Sequence, residues 1–227
     1  MPNKASRKQP QQARSRATVT AVLDAMVRIL DREGPDAATT TRVAEVAGIS
    51  IGTLYQYFSH RDAILDALQD REFERAMELM QRILGAADTQ GPAEDVAREV
   101  IRGLLALHAE APGLHRVLAL EGLRVTPADR VHAFDMRAIG VIRGFLAAST
   151  LPIRRKNLDA AAFVVFQSVR ASMLARMLES PPGVDDETLT EELTDLLLRY
   201  LVRGSEEVEE AASRSAPQRQ AGRARAR

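Results

Sequence analysis

The sequence predicts an all-α protein, with a small N-terminal three-helix head that carries a helix-turn-helix and a larger C-terminal helical bundle behind it. Three observations lead there. Apolar residues recur at offsets of three, four and seven in nearly every segment, and no stretch shows the two-residue alternation of a strand. Glycine and proline fall between those segments, at Gly34-Pro35, Gly91-Pro92, Pro112-Gly113 and Pro181-Pro182-Gly183, where they stop helices. Between residues 39 and 58 two short helical patterns meet at a single glycine, Gly48.

The elements follow in order. Residues 1–13 are polar, with Gln9, Gln11 and Gln12 around Pro10 and no helical period, and are expected to be a disordered basic arm. Order is expected from Arg14, with Val22, Leu23, Met26 and Leu30 on the inner face of a first helix. Thr39, Thr40 and Thr41 are good helix starters before Val43, Ala44, Val46 and Ala47, and Gly48 can enter the left-handed region that ends a helix. Ser50 then offers a cap to the next helix, which Leu54 and Phe58, four apart, anchor to the core. A longer helix through Leu65, Leu68, Phe73, Leu79 and Ile83 links head to body. Val96, Val100, Leu104 and Leu107 mark the next helix, and residues 114–123 a shorter one. Thr126-Pro127-Ala128-Asp129 reads as hydroxyl cap, first-position proline and early acid of another. The pattern over 157–179 is apolar on two sides, as expected of a helix between layers. The last helix has Asp185, Asp186 and Glu187 at its start and Arg199 near its end, the order the helix dipole favours. Residues 205–227 are charged and Pro-interrupted, and are expected to be a disordered tail. The domains are therefore expected at 14–61 and 62–204.

The segment Thr-Thr before Val43-Ala44, then Ala47-Gly48-Ile49-Ser50, Gly52-Thr53-Leu54-Tyr55, Tyr57-Phe58 and Arg61-Asp62 with Ile64-Leu65 behind, resembles the DNA-binding domain of the TetR family of transcriptional regulators. The resemblance covers roughly residues 14–68; beyond it only length and helical pattern agree. Tyr57 stands where His is common and Arg61 where Lys is usual. The resemblance implies a helix-turn-helix DNA-binding domain followed by an effector-binding and dimerisation domain.

Composition bounds the reading. With 227 residues, 45% of them hydrophobic, the chain can bury a sizeable core. Formal charge is zero overall, yet it is segregated: residues 1–61 hold nine Lys and Arg against five Asp and Glu. Lys4, Arg7, Lys8, Arg14 and Arg16 make the first sixteen residues purely basic, the footprint of a DNA-contacting arm. There is no cysteine, which excludes disulfides and thiolate metal sites. No signal core is visible, and the longest uninterrupted apolar run, residues 160–166, is too short to span a bilayer. The expectation is a cytoplasmic, nucleoid-associated protein with no membrane partner.

Chemistry assigns roles in the head. Thr40, Thr41, Tyr55, Tyr57 and Arg61 are expected to contact phosphates, while Ser50, Ile51, Gly52, Thr53 and Gln56 face the major groove. Gly52 would let backbone approach DNA closely. In the body, the resemblance implies an effector cavity between the middle helices, for which Leu104, His108, Leu118, Phe134, Phe163, Phe166, Arg170 and Met173 are candidates, with His108 and Arg170 serving a polar end. It also implies that the last two helices meet their mates in a four-helix interface, through Val165, Val169, Leu193, Leu197 and Tyr200. Gly140 and Gly144 are expected to allow close helix packing. His108, His115 and His132 lack metal-ligand spacing, no phosphate loop or nucleophile elbow occurs, and neither metal, cofactor nor enzyme is expected. The expected function is a homodimeric, ligand-responsive regulator, a repressor of a palindromic double-stranded operator, released when a small, partly apolar effector tilts the connector at 62–84. Two rivals are a regulator controlled by a protein partner, with a filled body, and a helical enzyme carrying this head.

Overall fold

The computed structural model describes residues 8–87, 92–150 and 152–202. The chain runs through α1 (Lys8–Arg32), a 3-10 turn at Pro35–Ala37, α2 (Thr40–Ala47), α3 (Ile51–Tyr55), α4 (Arg61–Ala86), α5 (Ala93–Glu110), α6 (Pro112–Val125), α7 (Ala128–Ala148), α8 (Leu158–Glu179) and α9 (Asp186–Leu201). Among the described residues the only extended pairing is an isolated bridge between Ile153 and Val202, which ties the α7–α8 loop to the end of α9.

The helix boundaries have local chemical causes. Thr39 accepts a hydrogen bond from the Arg42 amide and opens α2, and Gly48 closes it in the left-handed conformation, φ 69°, which costs an L side chain but not glycine. Asn157 and Asp185 cap α8 and α9 through their side chains. Two starts differ from expectation. Helix α1 begins at Lys8, so residues 8–13 are helical rather than part of a disordered arm; Pro10 is tolerated because first-turn amides have no intrahelical partner. Thr126 does not cap α7: Pro127 holds the cap position with no side-chain bond, while Thr126 is 3% exposed and its hydroxyl has no hydrogen-bond partner among the described residues. Burial between α6 and α7 outcompeted capping. The expected arm over 1–7 and tail over 205–227 lie outside the described residues.

In the head, Val22, Met26 and Ile29 of α1 meet Val43, Leu54, Phe58, Ile64, Leu65 and Leu68, and the same core takes in Leu114, Val117 and Leu118 of α6. Head and body therefore share apolar contact through α6. In the body α5 packs on α9 and α7 on α8, while α4 touches α5, α6 and α7. The α9 stripe Leu189, Leu193 and Leu197 buries against Ile101 and Leu105, each leucine contributing about 2 to 3 kcal/mol. Thr190 and Thr194, buried beside it, satisfy their hydroxyls on carbonyls four residues back, as buried hydroxyls in helices must.

By length and composition helix α8 is long and apolar enough to cross a membrane, a test that the core helix of a bundle also passes. Alanines and valines lower the polarity of every face, so the average is high although no single run is long. Gly140 and Gly144 also differ from expectation. Nothing lies within 4 Å of a Cβ built on either, so they make no close packing. Gly113 is where crowding occurs, since a Cβ there would sit 2.5 Å from the Leu30 carbonyl oxygen.

Candidate nucleic-acid interface and internal cavity

The edge of the head on which DNA contacts are expected is built on α3. Ser50, in extended conformation, accepts from the Thr53 amide at 3.0 Å and pairs hydroxyl to hydroxyl with Thr53 at 2.8 Å. Leu54 is fully buried and fixes the rotation of this short helix. The rotation leaves Ile51, Tyr55 and Tyr57 exposed at 39%, 51% and 37%, with Ser50, Gly52, Gln56 and Thr41 also exposed. Tyr55 hydroxyl and Thr40 hydroxyl lie 3.2 Å apart, so two of the expected phosphate contacts form one pair. A Cβ on Gly52 would meet nothing of the protein nearer than Ser50 Oγ at 3.8 Å. Internal packing thus does not require glycine there.

Arg61 is a correction. It is 26% exposed and turned inward: its Nε donates to the Ala38 carbonyl at 3.1 Å and its Nη1 to Glu121 at 2.9 Å. The cause is the carboxylate of Glu121 on α6, held below the usual range by Arg61 and Arg124, which lies within reach of the first turn of α4. The neighbouring His60, which the sequence reading passed over, is exposed and caps α4, its Nδ1 accepting from the Ala63 amide at 3.1 Å. A ring nitrogen that accepts carries no proton, so in neutral His60 the N–H is on Nε2. His60 lines a surface groove together with Thr40, Tyr55 and Ser59. The signal was legible as a polar residue three before Ala63 at a helix start.

Two contacts along α6 fasten head to body, and a third ties α6 to the first turn of α4. The Gly113 amide donates to Asp31 at 2.7 Å, Arg61 pairs with Glu121, and Arg124 reaches Asp62 at 2.9 Å. The same α6 forms part of the wall of a cavity of about 330 Å³ lined by α4 to α9. Leu104, His108, Leu118, Phe134, Phe166, Arg170 and Met173 all line it. Phe163 does not: it is 51% exposed on the outer side of α8, because both sides of that helix are apolar and spacing alone does not say which turns inward. Unforeseen wall residues include Phe73, stacked on Phe134 at 4.2 Å between centroids, and His115. Burial and the adjacent His115 push the His108 imidazole down to about 4, against a smaller opposing effect of Glu72. Glu72, 7% exposed, is pushed up by burial, but His115, Arg75 and Arg71 outweigh that and leave it below the ordinary range. Among the described residues no three His, Cys, Asp or Glu side chains are placed to hold a metal.

Three of the five residues named for a dimer interface turn inward. Val165, Leu193 and Leu197 are buried within one chain, Val169 lines the cavity, and Tyr200 lies under Arg155, whose guanidinium carbon is 4.1 Å from the ring centroid. The large apolar side chains left outside on α8 and α9 and away from the cavity are Phe163, Val164 and Leu196. The leucine stripe of α9 is consumed by α5.

Residues 22–68 match the family model of bacterial regulatory proteins, tetR family, and residues 92–201 match the tetracyclin repressor-like C-terminal domain. The chain belongs to the TetR family. As a TetR-family protein it is a DNA-binding transcriptional regulator. It is 25% identical over 189 residues to an uncharacterized HTH-type transcriptional regulator in the dhlA 5' region of Xanthobacter autotrophicus, a match covering 82% of this chain and 91% of that one. Its fold is similar to that of fatty acid degradation regulator FadR from Bacillus halodurans, with TM-score 0.63 and 17% identity over 79% of this chain and 94% of the other. NalD, the secondary repressor of the MexAB-OprM multidrug efflux pump in Pseudomonas aeruginosa, gives TM-score 0.59 and 18% identity over 82% and 98%. At those identities the likeness is one of fold.

Proposed function

We propose that this TetR-family regulator is a cytoplasmic repressor that binds a palindromic operator as a homodimer and releases it when a small apolar molecule enters the cavity. The observation that carries the ligand reading is the cavity itself, about 330 Å³, inside the usual range of small-molecule sites. A chain with no use for the space would be expected to collapse or fill it, which favours this reading over a filled body read by a protein partner.

Ser50, Ile51, Gly52, Thr53 and Gln56 are assigned to the groove and Thr40, Thr41, Tyr55 and Tyr57 to phosphates, with His60 in place of Arg61 as the donor at the start of α4. The second copy is assigned to the outer faces of α8 and α9, through Phe163, Val164 and Leu196. A two-fold protein suits a two-fold operator, with heads about 34 Å apart or a multiple of it. An effector acts only through different affinities for the DNA-competent and DNA-incompetent states, and α6 is a short route for it, touching the cavity with Leu118 and the head with Gly113 and Glu121. A coupling of about 1 to 3 kcal/mol would weaken operator binding roughly 5- to 150-fold. Fluorescence anisotropy with duplexes from upstream of its own coding region measures this: sequence-selective binding is expected, and equal affinity for every duplex at all salt concentrations would overturn it.

A further inference from the structure

The cavity's few polar groups specify what its occupant carries. Among the described residues only Gln69, Glu72, His108, His115 and Arg170 bring polar side chains to the wall; the remaining lining residues are aliphatic, aromatic, methionine or glycine. Both charged members are already engaged. Arg75 and Arg71 bond the two oxygens of Glu72 at 3.0 and 3.4 Å, with His115 Nε2 3.6 Å away, and Arg170 bonds Asp135 at 2.7 Å. His115 donates from Nδ1 to the Ala111 carbonyl at 2.9 Å. His108 is different: it lies against His115, ring centroids 4.7 Å apart, and neither of its nitrogens bonds another described residue.

From this geometry we infer that the effector is an uncharged, largely apolar molecule bearing one hydroxyl or carbonyl oxygen, which seats against His108. The inference rests on the cavity reading above. A neutral imidazole edge offers one donor and one acceptor, which a hydroxyl or carbonyl matches and a hydrocarbon leaves unused. A carboxylate would enter a wall that already holds Glu72, and its only cation, Arg170, is committed to Asp135. An ammonium would find the Glu72 oxygens occupied by Arg71 and Arg75. Either ion would lose water without gaining a free counter-charge, the costly case for burial.

The test uses three probes of one chain length, 1-decanol, decanoate and decylamine, titrated calorimetrically into the full chain at pH 7. Decanol is expected to bind at least about tenfold more tightly than either ion. His108→Leu is expected to lower decanol affinity roughly five- to tenfold, the worth of one hydrogen bond, and His108→Gln, which keeps a donor and an acceptor, to recover much of it. Preference for decanoate or decylamine, or undiminished decanol binding by a His108→Leu variant that melts cooperatively, would overturn the head-group assignment while leaving the cavity reading intact. No binding by any of the three would overturn both.

Discussion

At the scale of single residues, the distinction between space for the protein and space for a ligand can be tested directly at Gly52. With no protein atom nearer than 3.8 Å to an added Cβ, Gly52→Ala should leave the fold intact and raise stability by up to about 1 kcal/mol, as alanine does in helices. If the backbone there meets DNA, operator affinity should nevertheless fall by about tenfold or more. Melting and anisotropy on the same preparation separate the two effects. His108 supplies a second prediction. Its unfolded value is 6.5 and its folded value about 4, so the unfolded chain takes the proton first as pH falls. Stability is therefore fully present above 6.5 and declines between 6.5 and 4, by at most about 3 kcal/mol. His108→Gln should show a shallower loss of melting temperature across that window, and identical pH profiles would contradict the assignment. Residue chemistry was legible where a role depends on neighbours in sequence, as at Ser50 and Leu54. It was not legible for Arg61, whose partner Glu121 is sixty positions away and decides that the guanidinium turns inward.

At the scale of elements, helical periods located α2 to α9 well, because each is bounded by a glycine, a proline or a polar cap that acts locally. What a period does not encode is which side of a helix that is apolar all round will be covered. Hence Phe163 was placed in the cavity wall and Val165 in the interface, whereas α8 turns them the other way. The contact of α6 with α1 was likewise invisible, since it depends on Gly113 meeting a backbone carbonyl more than eighty residues earlier. Gly113→Ala forces that contact apart, because the Cβ would stand 2.5 Å from Leu30 O and 2.9 Å from Asp31 Cα. The expected cost is about 1 to 3 kcal/mol, typical of overpacking, with loss of the 2.7 Å bond to Asp31. Chemical denaturation reads the cost. A change in operator affinity beyond that explained by unfolding would mark α6 as a coupling element, and an unchanged midpoint would refute the crowding.

At the scale of the whole molecule, two substitutions of large apolar side chains should have opposite signatures. Leu193→Ala removes a side chain 3% exposed within one chain and should cost about 2 to 5 kcal/mol, lowering melting temperature without a direct effect on association. Phe163→Asp changes a side chain 51% exposed and should spare the stability of the single chain while dissociating the proposed dimer. Sedimentation of both variants at micromolar concentration decides between the two surfaces: a dimeric Phe163→Asp would send the interface elsewhere. The overall architecture was legible in the sequence because turn chemistry, caps and binary pattern agreed with one another along the chain.

Leu114, Val117 and Leu118 lie in the same apolar cluster as the head, and that limits how this regulator can be cut and recombined. A fragment ending after α4 would leave bare to water the oily patch these three cover, and should aggregate or melt early. A chimera grafting this head onto another sensor would need to import α6 with it, so the evolutionary and engineering unit of exchange is discontinuous in the chain.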